Sequence, residues 1–178
     1  MTTHILLLRG INVSGHNLIK MEALTKMLIN LGFQNVQTYI QSGNVILQSD
    51  ETPSKIAFTV KQELFKEFGH DVPVIVINRK DLENCLSNNP FLKEKEADLK
   101  KLYVAFVSME LNENSIHDLK ISNIKPDDVH LDRNKIFIKY DVSPAKTRLD
   151  QKYIEKKLNL KAIIRNWNTV VKLLELSA

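Results

Sequence analysis

Apolar patterns in the order strand, helix, strand, strand, helix, strand over residues 1–78, the return of that order after residue 100, and one more amphipathic helix at the end predict an α+β protein. The expected architecture is two ferredoxin-like β-α-β-β-α-β units with antiparallel sheets, plus a C-terminal helix. The expected division is a first unit over 1–78, a helical connector over 79–100, and a second unit with the final helix over 101–178.

The first strand is His4-Ile5-Leu6-Leu7-Leu8-Arg9, a short apolar run ended by Gly10. A polar loop follows to Lys20. From Met21 onward, Leu24, Met27, Leu28 and Leu31 fall at i, i+3, i+4 and i+7, so one helical face is buried, and Gly32 stops the helix. Val36 to Ile40 and Asn44 to Gln48 are β-rich runs around Gln41-Ser42-Gly43, which reads as a hairpin with Gly43 at positive φ. A Val at position 43 is expected to cost about 1 kcal/mol or more, because a β-branched residue fits that region poorly. Thr52-Pro53 reads as an N-cap followed by proline at the first helical position, and Ala57, Val60, Leu64 and Phe68 carry the stripe to Gly69. Val74 to Ile77 is the fourth strand.

Asp81 to Leu86 is helical, Asn88-Asn89-Pro90 breaks it, and Lys93-Glu94-Lys95-Glu96 has the look of a connector. The order then returns: a strand at Leu102–Val107, a short helix at Asn114–Leu119, a hairpin of Val129–Leu131 and Lys135–Tyr140 around Arg133-Asn134, a helix at Asp150–Leu158 and a strand at Ala162–Ile164. Residue identity between the halves is too weak to demonstrate a repeat. Val170, Leu173, Leu174 and Ser177 lie on one stripe of the last helix, which is expected outside both units.

At 43% hydrophobic and 26% charged, the 178 residues have the composition of an ordinary globular chain. No apolar run approaches the ~20 residues of a membrane span, and the N-terminus lacks the order of a signal peptide, so the expected location is the cytoplasm. Cys85 is the only cysteine, which excludes an internal disulfide and a Cys-rich zinc site. The net charge of +4 lies wholly beyond Asn78, where Lys139, Lys146, Arg148, Lys152, Lys156 and Lys161 contribute to a diffuse basic region. Solvated helix faces or affinity for phosphate would each account for it.

In a β-α-β-β-α-β unit the loop after the first strand, the turn between the second and third, and the loop before the fourth share one sheet end. That end would gather Arg9, Asn12, Ser14, His16, Asn17 and Lys20 with Gln41, Ser42, Asn44 and His70. Known motifs fail there. Gly10 and Gly15 have the Gly-x₄-Gly spacing of a phosphate-binding P-loop, but His16 and Asn17 stand where Lys and Ser/Thr are needed. Ser143 and Lys146 match Ser-x-x-Lys by count alone. The histidines lack metal-ligand spacing, and the central strands lack the aromatics that stack RNA bases. No catalytic residues, cofactor or metal are therefore predicted. The ligand-binding candidates are Arg9, Gly10, Asn12, Lys20, Gln41, Ser42 and Asn44, where cations, close-approaching backbone and neutral donors make a concavity for an anionic small molecule or nucleic-acid backbone. A hydrogen-bonded structural knot is the competing reading. A second candidate is Arg165, Asn166, Trp167 and Thr169, where a strand meets a helix N-terminus; capping plus a buried Trp also explains those residues. The functional classes are ranked as binding module, protein-interaction or structural module, and undetected enzyme.

The runs Leu8-Arg9-Gly10-Ile11-Asn12-Val13-Ser14-Gly15-His16-Asn17, Thr38-Tyr39-Ile40-Gln41-Ser42-Gly43-Asn44-Val45 and Arg165-Asn166-Trp167-Asn168-Thr169-Val170 resemble the domain of unknown function 1697 family of mostly bacterial proteins. The resemblance implies a small cytoplasmic protein with two ferredoxin-like halves, and implies no activity, cofactor or substrate. Ile163 stands where a Thr is typical in the last motif.

Overall fold

The computed structural model describes residues 1–141 and 143–178. In β1 (Thr2–Leu8), Ile5 through Leu8 are all fully buried, as in a strand covered on both faces. It sits inside a four-stranded sheet of order β2-β3-β1-β4, with β2 (Gln34–Tyr39), β3 (Asn44–Ser49) and β4 (Val74–Asn78). Every neighbouring pair is antiparallel. On one face, Leu6, Leu8 and Leu47 share a core with Leu24 and Leu28 of α1 (Met21–Asn30) and Val60 and Leu64 of α2 (Pro53–Phe68). The Thr52 hydroxyl accepts the Lys55 N–H and Gly69 closes α2 in the left-handed region, as the sequence predicts.

Two details of β2 differ from expectation. It begins at Gln34, and its register with β3 shifts between Gln34 and Gln37, where Asn35 has φ 49°. It also ends at Tyr39, because Ile40 turns into the left-handed region at φ 50° and leaves the ladder.

The second sheet repeats the plan, in the order β6-β7-β5-β8, from β5 (Leu102–Val107), β6 (Asp128–Asp132), β7 (Lys135–Lys139) and β8 (Ala162–Asn166). α4 (Ser115–Asp118) and α5 (Gln151–Leu158) are its helices. Ala105, Ile136, Ile138 and Ile154 share its core, and the buried Tyr140 hydroxyl donates to the Leu149 carbonyl at 2.8 Å. β8 is an edge strand, and its Ala162 and Ile164 N–H groups donate to the Glu155 and Gln151 side chains of α5 at 2.9 and 2.8 Å.

The chain divides into two compact units, Met1–Glu83 with Lys172–Ala178, and Asn84–Val171. The boundaries fall inside α3 (Arg79–Asn88) and α6 (Trp167–Leu176). α3 starts two residues earlier than expected, because Asn78 and Asp81 cap it reciprocally: each backbone N–H donates to the other's side chain at 3.0 Å. Within the first unit, the Arg79 guanidinium donates to the Leu174 carbonyl at 2.9 Å and to the Ser177 hydroxyl at 3.3 Å.

Candidate functional site

The loop from Arg9 to Lys20 is tightly folded. Gly10, Asn12, Ser14, Gly15 and Asn17 all have positive φ, a conformation for which Gly and Asn are the favoured residues. Ser14 and Gly15 form the centre of a tight hairpin turn, where the His16 N–H donates to the Val13 carbonyl at 2.9 Å. At the loop's base the Asn12 side chain imitates a strand: its Oδ1 accepts the Ile19 N–H at 2.8 Å and its Nδ2 donates to the Ile19 carbonyl at 2.9 Å. The same Nδ2 donates to the Gln41 carbonyl at 3.0 Å, which joins this loop to the turn between β2 and β3.

That turn is seated on the end of β1. The Leu8 N–H donates to the Gly43 carbonyl at 2.7 Å, and Gly43 has φ 85°. A Cβ at position 43 would lie 2.8 Å from Leu8 Cβ, so the turn packs directly on the strand. The Arg9 N–H donates to the Pro73 carbonyl at 3.1 Å, which brings the connection ahead of β4 to the same end.

The two stretches expected to converge are thus brought together, and their residues divide by what their atoms do. Asn12, Asn17 and Asn44 build the edge: Asn17 Nδ2 donates to the Gly10 carbonyl at 3.0 Å, and buried Asn44 donates to the Tyr39 carbonyl at 3.2 Å and the Ser42 hydroxyl at 3.0 Å. Gly10, Lys20 and Gln41 are exposed, and Arg9 and Ser42 are half-buried. Neither 9–20 nor 34–48 contains an acidic residue. Sequence reasoning missed an apolar rim, since Val13, Leu18 and Ile40 are each more than half exposed. An isolated aliphatic in a polar loop carries no sequence signal of its exposure.

At the second candidate, the Asn166 side chain accepts the Thr169 N–H at 2.8 Å and so caps α6, while Trp167 and Thr169 are buried. Arg165 shows some surface to water, yet desolvation of its guanidinium lowers its pKa to about 10, and Nη1 donates to the Ile164 carbonyl at 3.1 Å. In the second unit a groove of about 540 Å³ includes Lys152, Lys156 and Lys161. Lys156 lies in the last turn of α5, where a cation offsets the negative end of the helix dipole. Among the described residues no group of three or more His, Cys, Asp or Glu is placed to hold a metal ion, and no helix is long and apolar enough to cross a membrane.

The family described as "Protein of unknown function (DUF1697)" matches residues 1–137. No curated protein matches the sequence. Among solved structures, the chain is similar to the conserved bacterial protein SP0830 from Streptococcus pneumoniae, with 24% identity and a TM-score of 0.75 over 99% of each chain. At that identity the likeness is one of fold.

Proposed function

We propose that this chain, which belongs to the DUF1697 family, is a non-catalytic binding module whose first unit holds a phosphate-bearing ligand or nucleic-acid backbone between the Arg9–Lys20 loop and the Gln41–Asn44 turn. The observation that carries the reading is the junction of two acid-free stretches through the Asn12–Gln41 hydrogen bond, with Arg9 and Lys20 as their Arg and Lys residues. Arg9, Lys20, Gln41 and Ser42 would meet the ligand; Gly10 lets its backbone come close, and Asn12 and Asn44 hold the two stretches in register.

The test is retention of nucleotides or RNA from a cell extract by the full chain, by Lys20→Met, and by the Arg9→Met/Lys20→Met double variant. Both substitutions keep an apolar stem and remove a charge. The expected result is a graded loss in variants whose circular dichroism matches the parent. Undiminished retention by a folded double variant overturns the reading. The protein-interaction reading draws on the exposed Val13, Leu18 and Ile40, which an inorganic anion would leave uncovered.

A further inference from the structure

Grooves on this protein differ in how their charges are matched. Along α1, Glu22 stands with Lys26, and beside Tyr103 and Tyr140, Asp141 pairs with Lys101 at 3.5 Å. The groove of about 540 Å³ in the second unit is different. Lys152 and Lys156 of α5 and Lys161 just ahead of β8 line it with a single carboxylate, Glu155, so its own lining has a formal balance of +2. Glu155 Oε1 is engaged by the Ala162 N–H at 2.9 Å. Among the described residues, none of the three lysines has a carboxylate partner.

Helix energetics does not account for this cluster. The dipole of α5 favours Lys156 in the last turn but disfavours Lys152, the second residue of the helix. Lys152 and Lys156 are also like charges four residues apart on one helix face, a mutually repulsive pair. An anion between them relieves both costs. Lys161 is fixed beside them by Ser108, whose N–H donates to the Lys161 carbonyl at 2.9 Å and whose hydroxyl accepts the Lys161 N–H at 3.0 Å. The Ser108 hydroxyl proton can then donate to a ligand.

We propose that this groove binds a small molecule bearing two linked phosphate groups, an inorganic or organic diphosphate. Lysine ammonium groups bind phosphate oxygens as point charges, and the three here supply donors beyond the need of one phosphate. Lys152 and Lys156 are spaced about 6 Å along the axis of α5, a separation that two linked phosphates bridge better than one. The groove has the volume of a small-molecule site, in the range of roughly 300–1,000 Å³, which favours a compact ligand over a nucleic-acid strand. Exposed Met109 and half-buried Leu160 add an apolar wall for an organic group. The site lies within the second unit and does not rest on the reading of the Arg9–Lys20 loop.

The test titrates the ¹⁵N-labelled full chain with inorganic phosphate, pyrophosphate and ADP at fixed ionic strength, following amide shifts. The expected result is saturable shifts at Ser108, Met109 and Asn159–Lys161, with pyrophosphate and ADP binding at least tenfold more tightly than phosphate. Binding should weaken at least tenfold in Lys152→Met/Lys156→Met and persist in Lys152→Arg/Lys156→Arg; both sites are exposed, and circular dichroism checks the fold. Equal affinity for pyrophosphate and ADP identifies the inorganic source; tighter ADP binding that falls in Met109→Ser identifies the organic one. No shifts at these residues with millimolar pyrophosphate, phosphate binding as tightly as pyrophosphate, or unchanged binding by the folded double Met variant each overturns the proposal. A twelve-nucleotide RNA that shifts the same residues at lower concentration than either diphosphate overturns the assignment to a small molecule. Arg9→Met/Lys20→Met should keep the shifts at Ser108 and Lys161, so failure of the first-unit site leaves this one standing; their loss in that folded variant overturns the claim of a separate site.

Discussion

Asn78 and Asn166 perform the same act in different units: each is the last residue of an edge strand, and each side chain accepts the backbone N–H three residues on to start a helix. Other contacts follow the same plan. Leu8 and Val107 end β1 and β5 by donating to the hairpin carbonyls of Gly43 and Asn134, and the next residues, Arg9 and Ser108, donate to the Pro73 and Lys161 carbonyls just ahead of the fourth strand. The repeated unit is therefore β-α-β-β-α-β-α, and the last helix is the counterpart of α3.

Replacing either capping asparagine should weaken its helix. Asn166→Ala is expected to cost about 1 kcal/mol and Asn166→Ser much less, because Ser retains an acceptor for the Thr169 N–H. Urea denaturation of the two variants beside the parent checks this; equal stability of the Ala and Ser proteins would remove the capping role.

Gly43 and Gly15 both have positive φ, but only Gly43 is hemmed in, with Leu8 and Ile11 atoms 2.8–3.1 Å from the place of a Cβ. Gly15→Ala should cost about 1–2 kcal/mol of left-handed strain. Gly43→Ala adds overpacking and should cost about 2–4 kcal/mol. Thermal melting of both proteins tests the ranking, which disappears if the turn is not seated on β1.

Asn12 satisfies the backbone of Ile19 on both sides and that of Gln41 as well. Asn12→Ala loses all three bonds and should cost about 2–3 kcal/mol. Asn12→Asp keeps only the acceptor for the Ile19 N–H and turns a carboxylate toward two carbonyls, so it should rescue little. Hydrogen exchange should rise first at Ile19 in both variants.

His4 on β1 is hidden from water, and neither ring nitrogen has a hydrogen-bond partner. Burial lowers its pKa; the Ser49 backbone, close but outside hydrogen-bonding geometry, only tempers that shift. The folded protein therefore keeps the ring neutral while the unfolded chain takes up a proton near its ordinary value of about 6.5. Unfolding below that pH is coupled to proton uptake, so this contribution is fully present above 6.5 and is lost as pH falls toward the lowered value. His4→Leu should show a flatter stability profile between pH 6.5 and 5, measured by urea midpoints.

The first unit was legible because its signals are local: the Leu24, Met27, Leu28 spacing, the Thr52-Pro53 cap and the Gly43 turn each act within a few residues. The junction of the two loops followed from topology. What stayed hidden depends on atoms that leave no pattern. The Leu8–Gly43 and Val107–Asn134 bonds are between backbones, and the first is made at a Gly and the second at an Asn, so the shared plan survives without residue identity. The sequence pattern ends the fourth strand at Ile77 and starts the next helix at Asp81; only the reciprocal pairing of Asn78 with Asp81 shows that the helix begins at Arg79. Asn12 has the donors of a ligand-binding residue, and nothing in the sequence says that Ile19 and Gln41 engage them.

Arg79 is held by Leu174 and Ser177, partners 95 and 98 positions further along the chain. On a ribosome adding about 5–20 residues per second, those partners are made roughly 5–20 s after Arg79 itself. Through that interval the nascent first unit has its sheet and both covering helices but lacks the segment that receives the guanidinium. Its maturation is timed by the elongation of the intervening stretch, so pausing within codons 84–171 prolongs its exposure to chaperones and proteases.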